Sequence, residues 1–119
     1  MGVDIGLFKA IDSQRALRYI KPDPVPDELI RRVLEAAIKA PSGGNSQPWA
    51  FLVIRDPQLR AKIAGYYRRS WDAAYGDADG RARLSGRVYR SAAHLAVHMA
   101  DVPVLLMACI HTDGSAGET

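Results

Sequence analysis

The chain has 119 residues, of which 48% are hydrophobic and 24% charged, and this composition is ordinary for a single globular domain over residues 1–119. Its 16 Lys and Arg residues exceed its 13 Asp and Glu residues too slightly to indicate a nucleic-acid-binding protein. No run of apolar residues approaches the roughly 20 that a membrane span needs, and the first residues lack the pattern of a signal peptide, so we expect no membrane partner and a cytoplasmic location.

The first half of the chain predicts two helices and a strand. Apolar residues at helical spacing predict a helix over residues 4–14. Residues 15–26 end in three prolines and must be extended there. A strong amphipathic pattern predicts the next helix over 27–40, and an apolar run predicts a strand over 49–55.

The second half predicts two longer helices and a second strand. The Asp-Pro pair at 56–57 combines an N-cap with a first-turn proline and predicts a helix to about residue 75. We expect a break over 76–80 and a further helix over 83–100. The continuous apolar run 102–110 predicts a central strand that is covered on both faces.

Two strands so far apart in sequence do not make a self-sufficient sheet. We therefore expect a partner chain or a further length of polypeptide to complete it. The small polar segment over residues 112–119 has nothing to bury, and its last part, residues 114–119, is predicted to lead into a disordered or cleaved loop.

The turn between the second helix and the first strand has the sequence APSGGNSQPW, residues 40–49. Gly43 and Gly44 lack a Cβ and allow a flat ligand to approach the backbone, while Ser42, Asn45 and Gln47 offer directional hydrogen bonds. The same residues are also typical of an ordinary helix-to-strand loop. The turn alone leaves both interpretations open.

Other candidate residues favour structural roles. His94 and His98 have the spacing of two metal ligands on a helix, but no third ligand is evident, so we expect no metal. Tyr67, Trp71 and Tyr75 form an aromatic stripe that suits either core packing, a dimer contact or one side of a substrate pocket. The eight Lys and Arg residues between positions 60 and 90 indicate either a solvated helix face or a surface that attracts anions. The single cysteine, Cys109, is predicted to be a buried, inert thiol.

Two motifs in order, QRALRYIKPDPVP at residues 14–26 and APSGGNSQPW at 40–49, with a helix between them, resemble the N-terminal part of the nitroreductase family of flavin enzymes. The resemblance is continuous over residues 8–59 and weaker as far as residue 110. It implies an α+β fold with a central, mostly antiparallel sheet flanked by long helices. It also implies a homodimer that binds FMN at the subunit interface and passes electrons from NAD(P)H to an acceptor by a ping-pong route.

The resemblance also implies roles for individual residues in cofactor binding. Arg18 falls where the family places a cation beside the pyrimidine side of the flavin ring, and Arg15 falls in the cluster that holds the phosphate. Gln14 stands where an arginine is usual and Ala16 where a serine is usual, so two phosphate contacts are weakened or lost. In the second motif the implied contacts to the ring come from one subunit. They involve Pro41, Ser42, Gly43, Gly44, Asn45 and, in a more structural role, Gln47.

The leading functional hypothesis is an FMN-dependent oxidoreductase that reduces nitro-, quinone- or enone-like small molecules, with the flavin rather than a side chain carrying the chemistry. One alternative within the family is a flavin-dependent dehalogenase or flavin-fragmenting enzyme. Another is a non-catalytic homologue that has lost the flavin, which the residues Gln14 and Ala16 suggest. Family members continue well beyond this length, so we expect these residues to be part of a longer protein.

Overall fold

The computed structural model describes residues 4–112, so the predictions for the segment 113–119 lie outside the described residues. In chain order the helices are α1 (Leu7–Ser13), α2 (Asp27–Ala37), α3 (Pro57–Tyr75), α4 (Ala78–Ala82) and α5 (Gly86–His98). The strands are β1 (Trp49–Ile54) and β2 (Leu105–Ile110). Single 3-10 turns form at Gly43–Asn45 and Met99–Asp101. None of the described helices is both long enough and apolar enough to cross a bilayer.

Strands β1 and β2 pair in antiparallel orientation, with Trp49 opposite Ile110 and Ile54 opposite Leu105. This pairing confirms both predicted strands, although the second begins at Leu105 and not at Val102. Val102 ends the preceding 3-10 turn, and Pro103 has no N–H to donate to a ladder. The prediction that β2 is covered on both faces is wrong for the described residues, since Ile110 remains 75% exposed.

Local capping residues explain where the helices of the second half begin. The Asp56 side chain accepts hydrogen bonds from the backbone N–H groups of Gln58 and Leu59, at 2.7 and 3.2 Å, and so starts α3 where predicted. The Ser85 hydroxyl accepts from Val88 N–H at 3.3 Å, which moves the start of α5 to Gly86. The predicted break over 76–80 is partly wrong, because the Asp77 side chain accepts from Gly80 N–H at 2.7 Å and starts the short helix α4.

The core lies where α3, α5 and the sheet meet, and its buried apolar residues are Ile30, Ile54, Ala64, Ala92, Ala96 and Val102. Arg60 connects α3 to the segment that precedes β2, because its guanidinium donates to the carbonyls of Ala100, at 3.1 Å, and Val102. Helix α1, in contrast, buries none of its residues, and Phe8 is 79% exposed. The described residues therefore form a helical layer on a small sheet with large apolar faces left open.

Candidate functional site

The basic segment after α1 is extended and is anchored by Arg18. Helix α1 ends at Ser13, and the backbone N–H of the C-cap residue Gln14 donates to Ala10 O at 3.1 Å. Arg15 and Ala16 are exposed, whereas Arg18 is half-buried. The Arg18 Nη1 group donates to the Ser91 hydroxyl at 3.2 Å, and that hydroxyl donates in turn to Val88 O at 3.1 Å. This two-step chain holds the guanidinium against α5, and Ser91 is a residue that sequence reasoning missed.

Arg18 also lies at the meeting point of three cavities. The first, of about 430 Å³, includes Ile20, His94 and His98. The second, of about 370 Å³, lies between α3 and α5 and includes the aromatic stripe of α3. The third, of about 300 Å³, lies beside Ala16 and Arg87. Arg18 is therefore a lining residue shared by all three cavities.

The turn of residues 41–48 has a compact geometry that its own hydrogen bonds maintain. Ser42 O accepts from Asn45 N–H at 2.9 Å, and the Ser42 hydroxyl accepts from Gln47 N–H at 2.9 Å. Gly44, Asn45 and Gln47 all have positive φ, at 59°, 54° and 49°. Left-handed backbone is energetically unfavourable for residues with a Cβ, so the conformations of Asn45 and Gln47 are strained.

The outer side of this turn is open to a ligand. A Cβ placed on Gly43 or Gly44 would meet no atom within 4 Å. Pro41, Asn45 and Gln47 are exposed, and Ser42 is half-buried. These features fit the close approach of a planar ring to the backbone, as the resemblance implies for FMN. The phosphate end fits less well, because the exposed Gln14 offers only a neutral amide.

Arg18 of the first motif and the turn of the second do not share any of these three cavities. None of the three cavities that Arg18 lines includes a residue of the turn 41–47. The turn lies instead at the end of the sheet, where His111 N–H donates to Pro48 O at 2.6 Å. Trp49 and Phe51 follow in β1 with their ring centroids 6.0 Å apart, so Trp49 packs along the strand.

The aromatic stripe of α3 lines the second cavity. The rings of Trp71 and Tyr75 are 4.6 Å apart, and Trp71 also lies 5.7 Å from Tyr89 of α5. Leu84 and Val88 also line this cavity. Sequence spacing predicted the stripe, but Tyr89 lies on another helix and was missed.

His94 and His98 stack on each other, with ring centroids 4.4 Å apart, and Tyr19 stacks on His94 at 4.5 Å. His98 Nδ1 lies 3.1 Å from an Asp101 carboxylate oxygen. Among the described residues, no group of three or more His, Cys, Asp and Glu side chains is arranged to hold a metal ion. The pair therefore contributes a stacked wall to the first cavity.

Several of the basic residues between positions 60 and 90 contact side chains of their own helix or of a neighbouring one. Arg68 pairs with Asp72 at 3.1 Å. Arg69 lies 4.6 Å over the ring of Tyr66. Further along the chain, Arg81 lies over Tyr89 and Arg83 over Tyr75, at 5.6 and 5.3 Å. These contacts favour the interpretation of these residues as a packed and solvated helix face.

A family model and two curated proteins are similar to this chain in sequence. The family model described as the Nitroreductase family matches residues 11–118. Iodotyrosine deiodinase 1 of Rattus norvegicus is 41% identical over 56 residues, which are 47% of this chain and 20% of that protein. NADH dehydrogenase of Thermus thermophilus is 42% identical over 65 residues, which are 55% of this chain and 28% of that protein.

A solved structure supports the same fold. The crystal structure of oxidized iodotyrosine deiodinase bound to FMN and 3-iodo-L-tyrosine superposes with a TM-score of 0.67 at 26% sequence identity. The match covers 87% of this chain and 55% of that one. The chain thus spans about half of the solved relative and about a quarter of the curated proteins it matches. The nitroreductase-like α+β fold expected from the sequence is confirmed.

Proposed function

The chain belongs to the nitroreductase family, and from this premise we propose that it forms part of an FMN-dependent oxidoreductase. In this proposal electrons pass from NAD(P)H to a nitro-, quinone- or enone-like acceptor in two half-reactions. When bound, FMN supplies the electron-transfer chemistry. The chain's own residues bind and orient the ring, set its electrostatic surroundings and exclude water.

The observation that carries the proposal is the geometry of the turn 41–48 together with Arg18. Gly43 and Gly44 leave the backbone open on one side, so the turn is the surface we assign to the flavin ring. Among residues 4–112 the Arg18 guanidinium makes one hydrogen bond, to Ser91, and in this proposal its positive charge would lie beside the pyrimidine edge. Arg15, Gln14 and the backbone at Ala16 would face the phosphate.

We further propose that the functional unit is a homodimer in which the Arg18 segment of one copy and the turn of the other flank the same FMN. Support comes from the cavities that Arg18 lines among the described residues, none of which includes a residue of the turn. Further support comes from apolar surface that the described residues leave uncovered. Leu7, Phe8 and Ile11 of α1 are exposed, and a mostly apolar groove of about 560 Å³ lies between α2 and β2.

The test is the visible spectrum of the purified protein, combined with FMN release on acid denaturation. We expect a yellow protein with one FMN per chain, and parallel double-reciprocal plots when NAD(P)H and a quinone are both varied. A colourless protein that takes up no FMN on reconstitution would contradict the proposal and would favour the non-catalytic homologue that Gln14 and Ala16 suggest. Analytical ultracentrifugation tests the homodimer separately.

A second candidate function is reductive dehalogenation. It is favoured by the 41% identity to iodotyrosine deiodinase 1, which covers 47% of this chain. Turnover of 3-iodo-L-tyrosine and of a nitroaromatic by the same flavin-loaded preparation separates the two functions. Iodide release at a rate comparable with nitro reduction would favour the dehalogenase.

A further inference from the structure

The extended segment after α1 contacts one face of α5, and its contacts follow the order of the chain. Tyr19 stacks on His94 with ring centroids 4.5 Å apart, and Arg18 donates to Ser91 at 3.2 Å. Positions 87, 91 and 94 are spaced by four and three residues, so they share one face of a helix. The part of the segment nearer α1 therefore lies beside the first turn of α5, which contains Arg87.

The third cavity, of about 300 Å³, brings Arg87 together with this part of the segment. Its lining includes Ala16 and Leu17 from the segment and Arg87 and Val88 from α5. Ala16 is one of the two positions at which the sequence lacks an expected phosphate contact, and the other, Gln14, lies two residues earlier at the C-cap of α1. Arg87 thus lines a cavity at the end of the first motif where a charged donor is missing.

The guanidinium of Arg87 is not neutralised within the part of the chain that the structure describes. Over residues 4–112 Arg87 is exposed and has no hydrogen bond, ion pair or cation–π contact. Helix α5 contains no Asp or Glu, and the described lining of the third cavity contains none either. A planar guanidinium of this kind can donate two parallel hydrogen bonds to a phosphate group.

The other arginines of this region are engaged elsewhere. Arg68 pairs with Asp72 at 3.1 Å, and Arg81 and Arg83 lie over tyrosine rings at 5.6 and 5.3 Å. None of these three arginines lines the third cavity. Of the basic residues between positions 60 and 90, Arg87 is therefore the one that both lines this cavity and keeps its donors available among the described residues.

We propose that Arg87 binds the phosphate of FMN and supplies the charged contact that Gln14 does not provide. It acts together with Arg15 of the same chain. This inference rests on the proposed flavin function, because it adds a residue to the cofactor site of that function. It makes α5 part of the phosphate site and Arg87 a determinant of the preference for FMN over flavins without a phosphate.

The test compares FMN with riboflavin, which has the same ring and ribityl chain but no phosphate. Titration of each flavin with the flavin-free protein, followed by quenching of flavin fluorescence, gives the two dissociation constants. We expect Arg87→Gln to weaken FMN binding about tenfold or more, because a charge-assisted contact is lost, and to leave riboflavin binding unchanged. Unchanged FMN binding, or an equal loss for both flavins, would overturn the inference.

Two further variants show whether position or net charge is responsible. Arg90→Gln makes the same charge change on the same helix at an exposed residue outside the lining of the third cavity, and FMN affinity should stay within about twofold. Arg87→Lys keeps the charge without the planar fork and should give an intermediate affinity. If Arg90→Gln weakened FMN binding as much as Arg87→Gln, the effect would come from net charge and the inference would be wrong.

A double-mutant cycle links Arg87 to the position of the missing arginine. Two guanidiniums on one phosphate share its oxygens, so their contributions should be coupled. Gln14→Arg should therefore gain more FMN affinity in the Arg87→Gln background than in the unaltered chain, with no gain for riboflavin in either. An equal gain in the two backgrounds would indicate that the two side chains serve different groups and would contradict the inference.

The unaltered protein separates this inference from the proposed function. If it binds FMN and Arg87→Gln binds FMN equally well, the inference alone fails. If it binds neither flavin, the proposed function fails, and inorganic phosphate is then titrated into both proteins while the NMR amide signals of residues 14–18 are followed. A saturable shift that Arg87→Gln abolishes would retain Arg87 as a phosphate-binding residue, whereas the absence of a saturable shift would exclude it.

Discussion

The Arg18 guanidinium donates a hydrogen bond to the Ser91 hydroxyl across 3.2 Å, although the two residues are 73 positions apart in the chain. This contact fixes the extended segment after α1 against the face of α5. It uses one of the five N–H donors of the guanidinium, and the other four have no partner among residues 4–112. Ser91 is therefore a positioning residue for the cation that we assign to the flavin site.

We expect Ser91→Ala to weaken FMN binding modestly and Arg18→Gln to weaken it strongly. Loss of a neutral acceptor costs about 1 kcal/mol, whereas loss of a charged donor costs about 1.5–3 kcal/mol. Arg18→Gln should also make the reduction potential of bound FMN more negative, because positive charge beside the ring favours its reduced state. Titration of FMN fluorescence and a potential measurement check both effects. Ser13→Ala, which removes only an exposed bond to Lys9 O, is the control. Equal effects of all three variants would contradict the assignment.

Gln14→Arg combined with Ala16→Ser should strengthen FMN binding. Both residues are exposed at the end of α1, so the new side chains meet no steric obstacle from burial. The added charged contact is worth about 1.5–3 kcal/mol, roughly a tenfold or larger gain in affinity. Equilibrium titration with FMN and with riboflavin, which lacks the phosphate, measures it. Only FMN should gain, and Gln58→Arg on α3 should change neither; a gain for riboflavin would show that the phosphate is not the group contacted.

Gly44→Ala and Gly43→Ala should separate backbone strain from ligand contact. At both positions an added Cβ has open space, but only Gly44 has a left-handed φ of +59°. We therefore expect Gly44→Ala to lower the free energy of unfolding by about 1 kcal/mol and Gly43→Ala to leave it nearly unchanged. Urea denaturation of the flavin-free protein measures this difference. In FMN titrations both variants should bind more weakly, and full affinity in Gly43→Ala would argue against a ring lying on this turn.

Asp56→Ala should destabilise the protein by removing the N-cap of α3. The carboxylate accepts from two backbone N–H groups, and loss of such a cap costs about 1 kcal/mol. Thermal or urea unfolding checks the effect, with Asp23→Ala in the exposed proline segment as a control of equal charge change. Asp56→Asn should retain most of the stability. If Asp23→Ala were equally destabilising, net charge rather than capping would be responsible.

The sequence predicted most of the fold because its signals are local. Asp56 and Pro57 determine the start of α3 through hydrogen bonds within four residues of the cap. The same kind of signal at Asp77 and Ser85 was overlooked, so α4 was predicted as a break and the start of α5 was placed three residues early. In both cases a side-chain hydrogen bond to a backbone N–H three residues further on starts a helix in a segment whose glycine residues suggested a break.

By itself, the sequence determined the family, the order of elements and the shape-forming residues of the turn 41–48, because each depends on residue types within a few positions of one another. Only the tertiary structure decided that Arg18 is held by Ser91 and lines three cavities, none of which includes the turn. It also decided that Tyr89 joins the aromatic stripe. The physical reason is that these relationships arise from packing α3 and α5 together and pairing two strands 50 residues apart, and long-range contacts of this kind leave no periodic pattern in the sequence.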